Sequence, residues 1–279
     1  MTLPIGLYLS AYTSYSMRWM KLIHRINHSE LHPLEGGLSG QTFLVEHGKE
    51  NCVLRKFPDR KTAKFHSDVI KRLQRHRIVP KLLGQHHNLL LLEFISGRTC
   101  TKDDATQAAF QVGRICGIIN RMKLRNKYDI DVKFFKHLSL IKRRKIITSQ
   151  EYVKAKKLYL MLKRRLKAKA AMDANDVYPA NFRIQNGKIF LVDIEGIKPR
   201  LKGRGIAKAF SRWFKKESQR RQFWKGYQKA ASSKFWTKDY ALLAELYFLV
   251  PTISYGADPT RQIKQKDIRA LKHLLAKNI

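Results

Sequence analysis

Three features of the sequence predict an α+β fold with a small β-rich N-terminal part and a mainly helical remainder. Between Pro33 and Gly97 the apolar residues follow a strand-like pattern. In "TFLVEHGKENCVLRKF" two β-rich runs flank a short polar turn containing Gly48, which is a hairpin signal. From Thr101 onward the spacing becomes helical, with long stretches from Asp103 to Met122, from about Asp131 to Ala171, and from Gly203 to the end. The third feature interrupts those helices: "FRIQNGKIFLV" reads as two short strands around Asn186-Gly187, the dipeptide best suited to two consecutive positive φ angles.

Taken in order, residues 1–30 carry no charge before Arg18, lack a basic leader, and are interrupted by Pro4 and Gly6. This predicts neither a signal peptide nor a spanning helix. A helical extension packed on the protein is expected, with interfacial contact through Trp19 as the alternative. Residues 31–97 form the β-rich part. It also contains a helix from Lys61 to Gln74 and, in "NLLLLEFISG", a buried strand that ends at Gly97. Residues 98–279 form the helical part.

The 279 residues include 57 Lys and Arg against 21 Asp and Glu, a formal charge of +36. Such an excess attracts phosphate-rich partners (nucleic acid, an anionic membrane or a phosphorylated glycolipid) and disfavours polycationic ones. Dense runs occur at Lys142 to Lys145 and from Lys163 onward. Cys52, Cys100 and Cys116 are odd in number and form no C-x-x-C pair, so neither a disulfide framework nor a zinc site is expected. A reducing, cytoplasmic setting fits, with peripheral contact at the inner face of the membrane as an extension of the charge argument.

Oxygen-bearing side chains gather where they are otherwise scarce. Asp176 and Asn181 precede the Asn186-Gly187 hairpin, and Asp193 and Glu195 follow it. Folding the chain back at the turn is expected to bring Asn181 toward Asp193. Mg²⁺ prefers such hard oxygen ligands, completed by water and substrate phosphates.

The order D-x-x-x-x-N, hairpin, D-x-E resembles the catalytic core of the bilobal protein-kinase-like fold. The resemblance covers about Leu34 to Tyr255. It implies that Asp176 orients or deprotonates an acceptor hydroxyl, while Asn181 and Asp193, with Glu195 as a further carboxylate, hold Mg²⁺ on the phosphates of ATP. Upstream, "LEGGLSGQTFLV" is similar to the loop that lies over those phosphates, which implicates Gly36, Gly37, Ser39 and Gly40. "CVLRKF" follows as the strand that carries a cation. Arg55 is the first choice, because "VLR" resembles aminoglycoside, choline and lipopolysaccharide-core kinases, and Lys56 on the opposite face is the alternative. Asp68, five positions before Leu73, matches the helix acid expected to meet that cation. Glu93, Phe94 and Ile95 match the hinge that contacts adenine. One departure stands out: Ala174 occupies the position, two before Asp176, where the family usually has His.

No long activation segment or A-P-E follows Asp193. Instead "GIKPRLKGRGIAKAFSRWFKK" runs into a basic amphipathic helix, and "SRWFKKESQRRQFWKGYQ" resembles the C-terminal helix of bacterial kinases acting on the lipopolysaccharide inner core. This implies ATP-dependent transfer to a non-protein, anionic glycan or glycolipid. A kinase-fold nucleic-acid-associated protein and an inactive scaffold are the alternatives.

Overall fold

The structure is a computed structural model that describes residues 30–34, 41–47, 50–124, 127–257 and 264–277. Residues 1–29 of the expected helical extension, the Gly48 turn, and Gly36, Gly37, Ser39 and Gly40 lie outside the described residues. The chain divides into two compact units, one comprising Met1–Arg98 with Arg183–Glu195, the other Thr99–Phe182 with Gly196–Ile279.

The first unit is built on strands β1 (Glu30–Pro33), β2 (Gln41–His47), β3 (Glu50–Lys56), β4 (Leu82–His86) and β5 (Leu89–Glu93), in the order β1-β2-β3-β5-β4. Every neighbouring pair is antiparallel, and Arg55 lies opposite Thr42 on one side and Leu90 on the other. Val45, Leu54 and Leu91 are buried together on this sheet, as the period-2 patterning requires. Helix α1 (Arg60–Leu73) starts where Asp59 accepts a hydrogen bond from the Thr62 amide, an N-cap that satisfies one of the helix's orphan donors. It buries Ala63, Val69, Ile70 and Leu73.

Between the units in sequence comes the short strand β6 (Arg98–Thr99). The expected late hairpin is present as β8 (Phe182–Gln185) and β9 (Lys188–Leu191). Asn186 and Gly187 turn it with φ of 50° and 70°, the paired positive values a type I′ turn demands. The Leu191 amide donates to the Ile78 carbonyl at 2.9 Å, anchoring the hairpin's end within the first unit.

The second unit contains α2 (Ala105–Asn120), α3 (Ile130–Arg143), α4 (Ser149–Arg165), α5 (Arg204–Arg212), α6 (Glu217–Ala231), α7 (Lys238–Gly256) and α8 (Gln265–Lys277). Phe134 on α3 stacks on Tyr159 of α4 with ring centroids 3.9 Å apart, and Tyr247 of α7 joins them. The expected helical region from Asp131 to Ala171 is a pair of helices that stops at Arg165. A left-handed Lys145 ends the first helix, and a capping box between Thr148 and Glu151 starts the second. Strand β7 (Ala170–Asp173) then pairs antiparallel with β10 (Lys198–Leu201), Asp173 opposite Lys198. Strand β7 thus takes the place of the helix end expected near Ala171. No described helix is long and apolar enough to cross a membrane.

Candidate active site

The segment from Asp173 to Asn181 folds on itself before entering β8. The Asp176 carbonyl accepts from the Tyr178 amide at 3.1 Å and from Asn181 Nδ2 at 2.8 Å, and the Asn181 amide donates to the Tyr178 carbonyl at 3.0 Å. Pro179 opens the single 3₁₀ turn that ends at Asn181, a position where its fixed φ suits the turn. Asp176 and Asn181 are thereby fixed to one another through backbone, and both stay partly exposed.

What braces this loop is a residue the sequence did not single out. Asp173 is 2% exposed. Its carboxylate accepts from the amides of Asn175 at 2.8 Å, Gly203 at 3.0 Å and Gly205 at 2.8 Å. Burial pushes its pKa up, and the hydrogen bonds from the Asn175 and Gly205 amides, with Arg204 and Asn120, oppose that rise. A carboxylate receiving several amide donors can remain charged when buried. Gly205 is required by this contact, because a Cβ there would lie 2.8 Å from Asp173 Oδ1. Ala174 stands where a supporting His was expected. It is buried, and its carbonyl accepts from the Asp176 amide. The side chain that supports the loop is that of Asp173, one residue earlier. The available signal was an acidic residue closing the apolar run "AAMD".

Asp176 itself has a cationic partner, Lys208 of α5, whose Nζ contacts its Oδ1. The Lys208 side chain is 25% exposed and that of Asp176 is 38%. Burial lowers the Lys208 pKa, and Asp176 pushes it back up. Lys208, too, was missed, because 32 residues separate it from Asp176.

In the first unit the two candidate strand cations differ in burial and partners. Arg55 is 9% exposed, whereas Lys56 on the other face is exposed. Arg55 Nε donates to Glu195 Oε1 at 2.8 Å and its Nη2 to Asp193 Oδ1 at 3.3 Å. The Asp193 carboxylate also accepts from the Glu195 amide at 3.3 Å. Asp68, expected to meet the strand cation, accepts from Lys64 Nζ at 2.7 Å, one turn earlier on α1. In the expected hinge, Glu93 exchanges hydrogen bonds with Lys81: its amide donates to the Lys81 carbonyl at 2.9 Å and its Oε2 accepts from the Lys81 amide at 3.1 Å. Phe94 has the Arg183 guanidinium over its ring at 5.4 Å, and Ile95 is buried.

Each unit holds oxygen donors. In the second, Asn181 spends its amide nitrogen on the Asp176 carbonyl, and its Oδ1 accepts no hydrogen bond among the described residues. In the first, Asp193 and Glu195 present carboxylate oxygens. These are hard ligands of the type Mg²⁺ takes, with phosphate and water filling the remaining positions. Among the described residues no group of three or more His, Cys, Asp or Glu makes an all-protein metal site.

A small antiparallel sheet with one packed helix, a mainly helical unit, and the loop-hairpin-acid order define the protein-kinase-like fold. Solved structures agree. A choline kinase from Streptococcus pneumoniae superposes with a TM-score of 0.67 at 16% identity, covering 94% of this chain and 99% of that one. A choline/ethanolamine kinase family protein from Mesorhizobium loti gives 0.67 at 11% identity, covering 94% and 96%. An ADP-bound aminoglycoside phosphotransferase gives 0.64 at 16%, covering 94% and 97%. No protein-family model and no curated protein sequence matches the chain.

Proposed function

We propose that this chain is an ATP-dependent kinase that transfers the γ-phosphate to a hydroxyl of a non-protein, anionic glycan or glycolipid, such as a sugar of the lipopolysaccharide core. The observation that carries the proposal is the loop from Asp173 to Asn181, in which a carboxylate and an amide oxygen are held by one backbone turn and braced by a buried acid. In this reading Asp176 engages the acceptor hydroxyl and receives its proton. Asn181, Asp193 and Glu195 are the residues that would hold Mg²⁺, which supplies charge neutralisation on the phosphates. Arg55 keeps Asp193 and Glu195 in place and offers a cation to phosphate. Gly36, Gly37, Ser39 and Gly40 cover the phosphates, and Asp68 acts from α1. Because the Glu93 amide is already engaged, contacts to adenine fall to the backbone of Phe94 and Ile95.

The charge of +36 supports an anionic acceptor. It also supports adhesion to the cytoplasmic face of an anionic membrane, at about 1 kcal/mol per well-placed basic residue. The test is incubation with labelled Mg-ATP and fractionated bacterial extract, with Asp176→Asn as control. Label in the glycolipid or glycan fraction, absent from the control, is expected. Label in protein, or salt-sensitive retention on RNA without transfer, would overturn the proposal, as would ATP binding with no transfer to any fraction.

A further inference from the structure

Helix α5 presents Arg204, Lys208 and Arg212 at i, i+4 and i+8, on one face. Like charges at this spacing repel, so each needs a partner. Arg212 has one in the buried Asp267 of α8, and Lys208 has Asp176. Arg204 is different. It is 7% exposed, yet among the described residues its Nη1 contacts only the neutral carbonyl and side-chain oxygens of Asn175, and its Nε has no hydrogen-bond partner. Its guanidinium lies over the Phe248 ring at 5.9 Å.

More cations face the same place. Arg200 of β10 donates to the Tyr128 hydroxyl at 2.6 Å and to its own neighbour's carbonyl, both neutral, and its charge adds to burial in depressing the pKa of Arg204. His137, whose Nδ1 lies 3.0 Å from Ser254 Oγ, is held down to a pKa of about 4 by burial and then by Arg204, Lys133, Lys136 and Arg200. The charges felt by Arg204 include those of Arg200, Asp173 and Asp176, and Lys208 feels Arg204 in turn, while Lys133 and Lys136 act on His137 from α3. Asp173 is already committed to three backbone amides. A buried cation that no carboxylate touches is only partly compensated by charges further off, and an arriving anion improves that balance. Guanidinium groups suit carboxylate and phosphate oxygens in particular.

We propose that Arg200, Arg204 and Lys208 form an anion subsite beside Asp176, taking a phosphate or carboxylate carried by a sugar. The ammonium of Lys208 has three donors, so it can touch Asp176 and the anion together and set a neighbouring hydroxyl of the same sugar against the Asp176 carboxylate. That last step rests on the kinase proposal, whereas the subsite itself does not. Choline, named for one of the solved structures of this fold, is a quaternary cation and would be repelled here. The cluster therefore determines which acceptor class the fold serves in this chain.

The test uses the full chain without nucleotide or metal, following Arg Nε–H signals by ¹⁵N NMR during titration with glucose 6-phosphate, galacturonate, glucose and choline. Both anionic sugars are expected to shift the Arg204 signal saturably, with glucose and choline inert. Arg200→Gln and Lys208→Gln should each weaken the response about tenfold, equivalent to about 1.4 kcal/mol, while Lys154→Gln and Lys156→Gln on α4 leave it unchanged. Phosphate and carboxylate sources are separated by comparing the first two ligands. Equal response to glucose, or anion binding indifferent to Arg200 and Lys208 but sensitive to Lys154 and Lys156, would overturn the subsite. Intact anion binding with no phosphoryl transfer in the labelling experiment would instead sink the kinase proposal and leave the subsite standing.

Discussion

Each unit carries an acidic centre and neutralises it in a different way. In the first, Asp193 and Glu195 share Arg55, a planar fork fixed within the sheet, with side chains of Arg55 and Glu195 only 11% and 9% exposed. In the second, Asp176 is met by Lys208, a flexible point charge with its side chain 25% exposed. Arg55 holds two carboxylates with a planar fork, which fits the metal role proposed for them. Lys208 meets a single carboxylate with a point charge in a more solvated setting, which fits the acceptor role proposed for Asp176. The two centres differ in the number of acids held and in their exposure to water.

The sharpest way to break this contrast is at the acids. Asp176→Asn should lower phosphoryl transfer by about 10²–10⁴-fold with nucleotide affinity preserved, measured by label incorporation beside ATP binding; equal loss of both would remove the division of labour. Next comes the strand cation. Arg55→Ala leaves two carboxylates facing each other with no counter-ion, and should cost about 3–5 kcal/mol in denaturant unfolding. Replacing Arg55 and Glu195 together by Met should recover much of it. Removing the loop brace by Asp173→Ala orphans the buried amides of Gly203 and Gly205, at about 1–3 kcal/mol each, and should reduce transfer while sparing nucleotide affinity. Lys208→Gln should cost about 1 kcal/mol or less, since the pair is partly solvated. A loss as large as that at Arg55 would show the second centre to be as shielded from water as the first.

A separate effect is on pH. The folded chain holds His137 at about 4, below its ordinary 6.5, so on acidification the unfolded chain binds the proton first. This contribution to stability is complete above about pH 6.5 and is lost as pH falls toward 4. The decline in melting temperature over that window should be shallower in His137→Gln.

The local signals were legible. Two β-rich runs became β2 and β3, Asn186-Gly187 became the predicted turn, and Arg55 and Lys56 separated by face as strand periodicity required. What was hidden depends on distance along the chain. Glu195 meets Arg55 across 140 residues, and Asp173 meets Gly205 across 32. "AAMD" and "KPRL" become strands only because they pair with each other, and four residues carry too little periodicity to announce it. The helix acid Asp68 was placed by analogy, and its short side chain reaches Lys64 one turn away. Charge was evident in bulk, but that Arg204 touches no carboxylate among the described residues was decided by packing.

The brace at Asp173 bears on what position 174 contributes. With Ala174 unable to donate or accept through its side chain, position 174 contributes only backbone, and the loop takes its side-chain support from Asp173. What holds the loop here is a buried acceptor facing the amides of Asn175, Gly203 and Gly205, an arrangement defined by where donors and acceptor meet rather than by one residue type.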